Sequence, residues 1–182
     1  MARTREATLD DLRKVDQKAE IVGGELVLMS ATGGLPNFAG GEIFARLREY
    51  ARETKAGFAI TDNAGFIVHL PNRGSFSPDV AFTTERVLTR EFIQGAPCFA
   101  VEVRSAGDYG PAAERAMSVK RADYFAAGTL VVWDVDVLDE QLVRVHRAGN
   151  PGAPTVYRRG DVADAEPALP GWSMPVDDLF PR

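Results

Sequence analysis

The chain has 182 residues, 45% of them apolar, with 26 acidic against 21 basic side chains, a net charge of −5 and one cysteine, Cys98. This size and apolar share suit a single domain with a real core. A lone cysteine excludes an internal disulfide and suits a reducing compartment. The acidic balance argues against whole-surface affinity for nucleic acid, while leaving room for a local arginine-lined groove. The two histidines, His69 and His146, are far apart and lack cysteine companions, which argues against zinc. No apolar run reaches the length of a membrane span, and the opening MARTREATLDDLRK lacks the apolar core of a signal peptide. A soluble, cytoplasmic protein without a membrane partner is expected.

In chain order, ATLDDLRKVDQKAE predicts a helix with Thr8 as N-cap and acidic residues in its first turn. IVGGELVLMS predicts a hairpin about Gly23-Gly24, and ATGGLPNFAGG a flexible loop. EIFARLREYARETK, from Glu42 to about Lys55, predicts an amphipathic helix with Ile43, Phe44, Leu47 and Tyr50/Ala51 on the buried stripe. FAIT and FIVHL predict strands, PNRGSFS a loop or bulge, PDVAFT another strand, and residues 84–94 a short helix. PCFAVEVRSAG is a strand, followed by a helix in DYGPAAERAMSVKRADYFAAG with Pro111 in its first turn and Gly128 at its C-cap. TLVVWDVD predicts a buried strand, QLVRVHRAG and PTVYRRG a polar-edged hairpin, and LPGWSMPVDDLFPR a loop with a closing turn. The order predicts one α/β domain with a mixed sheet. Its parts would be an N-terminal helix over 1–17, a core over 18–147 and C-terminal strands and tail over 148–182.

Three residues stand out chemically. Side chains alternate along a strand, so Ala100, Glu102 and Arg104 share one face while Phe99, Val101 and Val103 share the other. A carboxylate in so apolar a strand is costly unless paired or metal-bound. Asp79 follows Pro78 at the start of another strand, where the chain is stiff. Lys120 falls on the apolar stripe of its helix with Ala113, Ala116, Met117, Tyr124 and Ala127. Only four of the basic residues are lysine, Lys14, Lys18, Lys55 and Lys120, so a lysine on a buried face calls for an anionic partner such as Glu102 or Asp79. Two carboxylates and a cation on a strand–helix unit can hold a hard divalent metal, with the lysine orienting or deprotonating water or neutralising charge on phosphorus. Each piece also has a plainer reading. Asp79 can be a turn former, Glu102 and Arg104 an ion pair at a sheet edge, and Lys120 a side chain snorkelling to water.

SPDVAF, FAVEVRSAGD and KRADYFAAGTLVVWDVD, with GGELVLM and GEIFARLREY upstream, together resemble the Uma2 family, the DUF820 group. The likeness runs in order from about residue 18 to residue 147. It implies the PD-(D/E)XK nuclease superfamily and its restriction-endonuclease-like fold, an α/β domain with a mixed β-sheet core flanked by helices. It also implies that Asp79 and Glu102, together with Val103, hold Mg²⁺ (or Mn²⁺ in its place). The lysine of the pattern usually stands two after the glutamate, where this chain has Arg104, a group that stays protonated. Lys120 would then be a migrated catalytic lysine. Glu42 resembles an extra acid on the first core helix, and Glu20 the acid that commonly precedes the G-G-E-L turn. The loop LPNFAGGE lacks a histidine that many relatives carry near the start of the long helix.

The expectation is a metal-dependent endonuclease acting on DNA, with Asp79, Glu102, Lys120, Glu42 and Arg104 as its site. Arg73, Arg104 and Arg121 would steer the strand, and the chain would work as a homodimer by analogy with folds that cut two strands. The rival is a nuclease-like fold without catalysis, acting as an interaction module. No nucleophile-elbow serine, P-loop or dinucleotide fingerprint supports another hydrolase.

Overall fold

The computed structural model describes residues 6–85 and 87–182. The opening residues 1–5 of the expected N-terminal segment and Arg86, within the expected helix near 84–94, lie outside the described residues.

The first helix, α1 (Leu9–Arg13), is shorter than its sequence suggests. Thr8 and Asp11 cap it reciprocally, but only Leu12 is buried, so little packing extends it. The residues beyond it enter the strand β1 (Ala19–Val22), which pairs with β2 (Glu25–Leu28) across a two-residue turn. Gly23 and Gly24 both have positive φ (59° and 79°), as a type I′ turn requires.

The expected loop before the long helix is instead its first turns, since α2 runs Gly34–Thr54. Pro36 lies in the first turn, where a missing N–H leaves no intrahelical bond unmade. Ala39, Ile43 and Leu47, four apart, form its buried stripe.

Next come β3 (Phe58–Ile60), β4 (Phe66–Leu70), β5 (Arg73–Phe76) and β6 (Val80–Thr83). The polar segment read as a loop is therefore the strand β5, held between β1 and β4. Its polar side chains are used internally: Ser75 Oγ accepts the Ile21 N–H at 2.9 Å, and Arg73 makes buried ion pairs. No described residue of 84–94 is helical. That stretch ends in β7 (Ile93–Gln94), which pairs parallel to β4, with the Phe92 ring against Gly65. The remaining elements are β8 (Phe99–Val103), α3 (Pro111–Ala126), β9 (Val131–Asp136), β10 (Leu142–Arg147) and β11 (Thr155–Arg158). The C-terminal segment adds a hairpin of β12 (Val162–Asp164) and β13 (Ser173–Pro175), then a 3₁₀ turn at Val176–Leu179.

Beside that two-stranded hairpin, two larger sheets are ordered β2-β1-β5-β4-β7 and β11-β10-β9-β8-β6-β3. The second is mixed, because β8 and β9 run parallel across the α3 crossover while its other pairs are antiparallel. It divides two cores. On one face α2 and the C-terminal segment pack against Val80, Phe82, Phe99, Val101, Trp133 and Val145. On the other, Ala81, Ala100 and Val132 meet Tyr124 of α3 and Phe66, Val68 and Phe76 of the first sheet. The alternation in β8 is thus realised on both faces, and Glu102 falls on the α3 side.

Candidate active site

Asp79 and Glu102 are brought together by strand register. β6 pairs antiparallel with β8 through Val80↔Val101, and the Asp79 N–H donates to the Val101 carbonyl at 3.1 Å. Asp79 immediately precedes this ladder and Glu102 immediately follows Val101, so the two carboxylates come close at its end. Like charges in that position repel, so the pair needs cations. Asp79 Oδ2 accepts the Val103 N–H at 2.7 Å, which ties the aspartate to the residue after Glu102.

The inward face of α3 supplies one cation. Lys120 and Tyr124, four apart on the helix, both reach Glu102. Lys120 Nζ donates to Oε2 at 2.8 Å, and the Tyr124 hydroxyl donates to Oε1 at 2.7 Å. Lys120 Nζ also lies 2.9 Å from Oε1 of Glu20 on β1. Glu20, only 3% exposed, accepts the Ser77 N–H at 2.8 Å and pairs with Arg73 Nη1 at 2.6 Å. Arg73 Nε in turn donates to Asp123 of α3 at 2.8 Å.

The second cation is one that sequence reasoning passed over. Lys18 Nζ lies 2.6 Å from Asp79 Oδ1 and 2.6 Å from Asp62 Oδ1. Strand alternation offered a sign of it, because Lys18 and Glu20 stand two apart and so share a face. Asp62, Asp123 and the Tyr124 hydroxyl were missed as well. Their places depend on contacts between segments distant in sequence.

Five linked carboxylates, Glu20, Asp62, Asp79, Glu102 and Asp123, therefore surround three cations, Lys18, Arg73 and Lys120, leaving two negative charges in excess. Burial and the nearest charges set the proton affinities of the inner groups. Burial raises the Glu102 carboxyl above its usual range, with Asp79 and Glu20 adding to it against the opposing pull of Lys120 and Lys18. Burial opposes the charge on Lys120, but Glu102 and Glu20 outweigh it and hold the ammonium above its ordinary value. Burial likewise opposes the Glu20 carboxylate, yet Lys120 and Arg73 keep it lowered. These partners favour Lys120 as an ammonium, a hydrogen-bond donor to Glu102.

Arg104 is 4% exposed and engaged elsewhere. It forks onto Asp134 of β9 at 2.7 and 2.8 Å and pairs with Glu114 of α3. Arg121 lies 3.5 Å from the same Asp134. Glu42 is half-buried on α2, and its side chain has no hydrogen bond or ion pair to a described residue. The structure joins Asp79, Glu102, Lys120 and Glu20 in one network. Arg104 sits in a second one beside it.

Two facing carboxylates with a surplus of two negative charges fit a hard divalent ion, which commonly takes one or two carboxylates and fills its shell with water and phosphate oxygens. Among the described residues, no three His, Cys, Asp or Glu side chains converge as a complete ligand set. Val103 has only its main-chain oxygen to add.

The fold is shared with the crystal structure described as "a putative nuclease belonging to DUF820 from Anabaena variabilis ATCC 29413". The two superpose with a TM-score of 0.75 at 18% identity, covering 96% of this chain and 97% of that one. No curated protein matches the sequence. The sequence does match, over residues 7–177, the family model described as "Putative restriction endonuclease", and the chain belongs to the Uma2 family.

Proposed function

We propose that this protein is a nuclease that hydrolyses phosphodiester bonds of DNA with the help of Mg²⁺, for which Mn²⁺ can substitute. The observation that carries the reading is the meeting of the Asp79 and Glu102 carboxylates at the end of the β6–β8 ladder, with the Lys120 ammonium on Glu102. Asp79 and Glu102 would hold the ion, with the Val103 main-chain oxygen beside them. The ion would supply a bound water of lowered pKa and offset charge on a phosphoryl oxygen.

The chain's own groups do the rest. Lys120, held as an ammonium by Glu102 and Glu20, donates to the phosphate and stabilises the negative charge that develops there. Glu20 positions Lys120, and Tyr124 orients Glu102. Arg104 keeps β8, β9 and α3 in register through Asp134 and Glu114, which places Glu102. In this reading the protein acts in the cytoplasm, and cutting both strands takes two copies. No helix among the described residues is long and apolar enough to cross a membrane.

Plasmid nicking in Mg²⁺ by the wild type and by Asp79→Ala, Glu102→Ala and Lys120→Ala tests this. The two carboxylate variants should lose activity, and Lys120→Ala should lose on the order of 10²-fold or more, all three keeping a cooperative thermal transition. Nicking that survives intact in Asp79→Ala or Glu102→Ala would remove that residue from the mechanism. A folded wild type that neither nicks DNA nor binds Mn²⁺ would instead make the protein an interaction module.

A further inference from the structure

We propose that Lys18 is a resident counter-ion of this site, whose ammonium competes with the divalent cation for Asp79 and is received by Asp62 when the cation binds. The inference rests on the metal-site reading above.

Three observations carry it. The ammonium bonds Asp79 Oδ1, the carboxylate oxygen that the Val103 N–H leaves free, at 2.6 Å. It bonds Asp62 Oδ1 at the same 2.6 Å, so one lysine bridges a site carboxylate and a second carboxylate outside the Asp79–Glu102 pair. Finally, the two ends of the bridge differ in exposure: the Asp79 side chain is 21% exposed and that of Asp62 49%.

The chain around Lys18 suits a side chain that swings on a fixed base. Its carbonyl accepts the Met29 N–H at 2.9 Å, and β1 begins at the next residue, so the backbone is held by the hairpin. The four-carbon stem is flexible and ends in a compact charge that needs no fixed fork geometry. Asp62 sits in a turn and is oriented by the Asn63 N–H, which donates to Oδ1 at 2.8 Å. An ammonium that leaves Asp79 therefore keeps a partner on the solvent side. With Lys18 in place, Asp79 and Glu102 face each other without an unscreened clash, so the fold does not depend on metal. The cost is a charged competitor at the site.

The test is isothermal titration of Mn²⁺ into the metal-free wild type, Lys18→Met, Asp62→Asn and the double variant. Lys18→Gln serves as a second replacement, and the thermal transition of each metal-free protein as the check on folding. Removing the ammonium should tighten Mn²⁺ binding about tenfold or more, since a unit positive charge next to the ligand oxygen is gone. Asp62→Asn should weaken binding several-fold, roughly, by taking away the receiving carboxylate, and should have no such effect once Lys18 is Met. Folded Lys18→Met and Lys18→Gln that bind Mn²⁺ no more tightly than wild type would overturn the counter-ion role while leaving the metal site standing. Absence of binding in every protein, wild type included, would overturn the metal site and the inference with it.

Discussion

At the scale of single residues, the site is a chain of paired charges, the inner ones buried and the outermost, Asp62, half exposed. Glu102 is the clearest case. Its side chain is 17% exposed, and its two oxygens are taken by Lys120 and the Tyr124 hydroxyl. The Tyr124 ring stacks on Phe76 with centroids 4.0 Å apart, a contact that phenylalanine would preserve. Tyr124→Phe therefore deletes one hydrogen bond and little packing. It should cost about 1–2 kcal/mol of stability, because a buried carboxylate loses a donor, and slow DNA nicking about tenfold, equivalent to ~1.4 kcal/mol. Urea unfolding and nicking on the same preparations check both parts. Unchanged nicking in a slightly destabilised protein would leave Tyr124 a packing residue.

At the scale of elements, the position of Asp79 depends on β6, and β6 is held from both sides by β8 and the edge strand β3. β3 can approach only because Gly57 precedes it. A Cβ added there would lie 2.0 Å from the Thr83 carbonyl oxygen and 3.0 Å from the Phe82 ring, and the residue has φ +158°. The nearest obstacle is backbone, which cannot turn aside as a flexible side chain would. Gly57→Ala should lose about 2 kcal/mol or more, read as a fall in the urea midpoint. A wild-type midpoint would show that β3 can shift off β6 without penalty.

For the whole molecule, the mixed sheet is a partition, with the charged site on its α3 face and the large apolar core on the other. The C-terminal segment closes that core, and Asp164 pins it. Its carboxylate accepts from Arg147 Nη2 at 2.8 Å, the Tyr157 hydroxyl at 2.6 Å and the Glu166 N–H at 2.9 Å, and its carbonyl accepts the Trp133 indole N–H at 2.9 Å. Burial opposes its charge, but the Tyr157, Glu166 and Arg147 donors hold the carboxyl below its ordinary value. A lowered folded-state pKa contributes stability above the unfolded value near ~4 and loses it as pH falls through the folded one. Asp164→Asn should therefore be less stable than wild type at pH 6, with the gap closing toward about pH 3. Urea midpoints across that range decide it, and a gap independent of pH would mean the carboxylate charge contributes nothing.

Much of this architecture can be read locally. Period two in FAVEV turns Glu102 toward one side of its strand, and the spacing of Lys120 and Tyr124 turns both to one side of α3, because neighbouring residues alone dictate those faces. The glycine-rich start of α2 and the polar strand β5 were not legible. Their local composition speaks for a loop, and what overrides it is packing of Ala39 on the sheet and insertion of Arg73 and Ser75 between strands. The partners of each charge were decided only in three dimensions. Arg104 shares a strand face with Glu102 yet pairs with Asp134, and Lys18, 61 residues from Asp79 in sequence, lies on it in the fold. Alternation and helical period determine which way a side chain points. Strand register, set by pairing across long stretches of chain, determines what it meets.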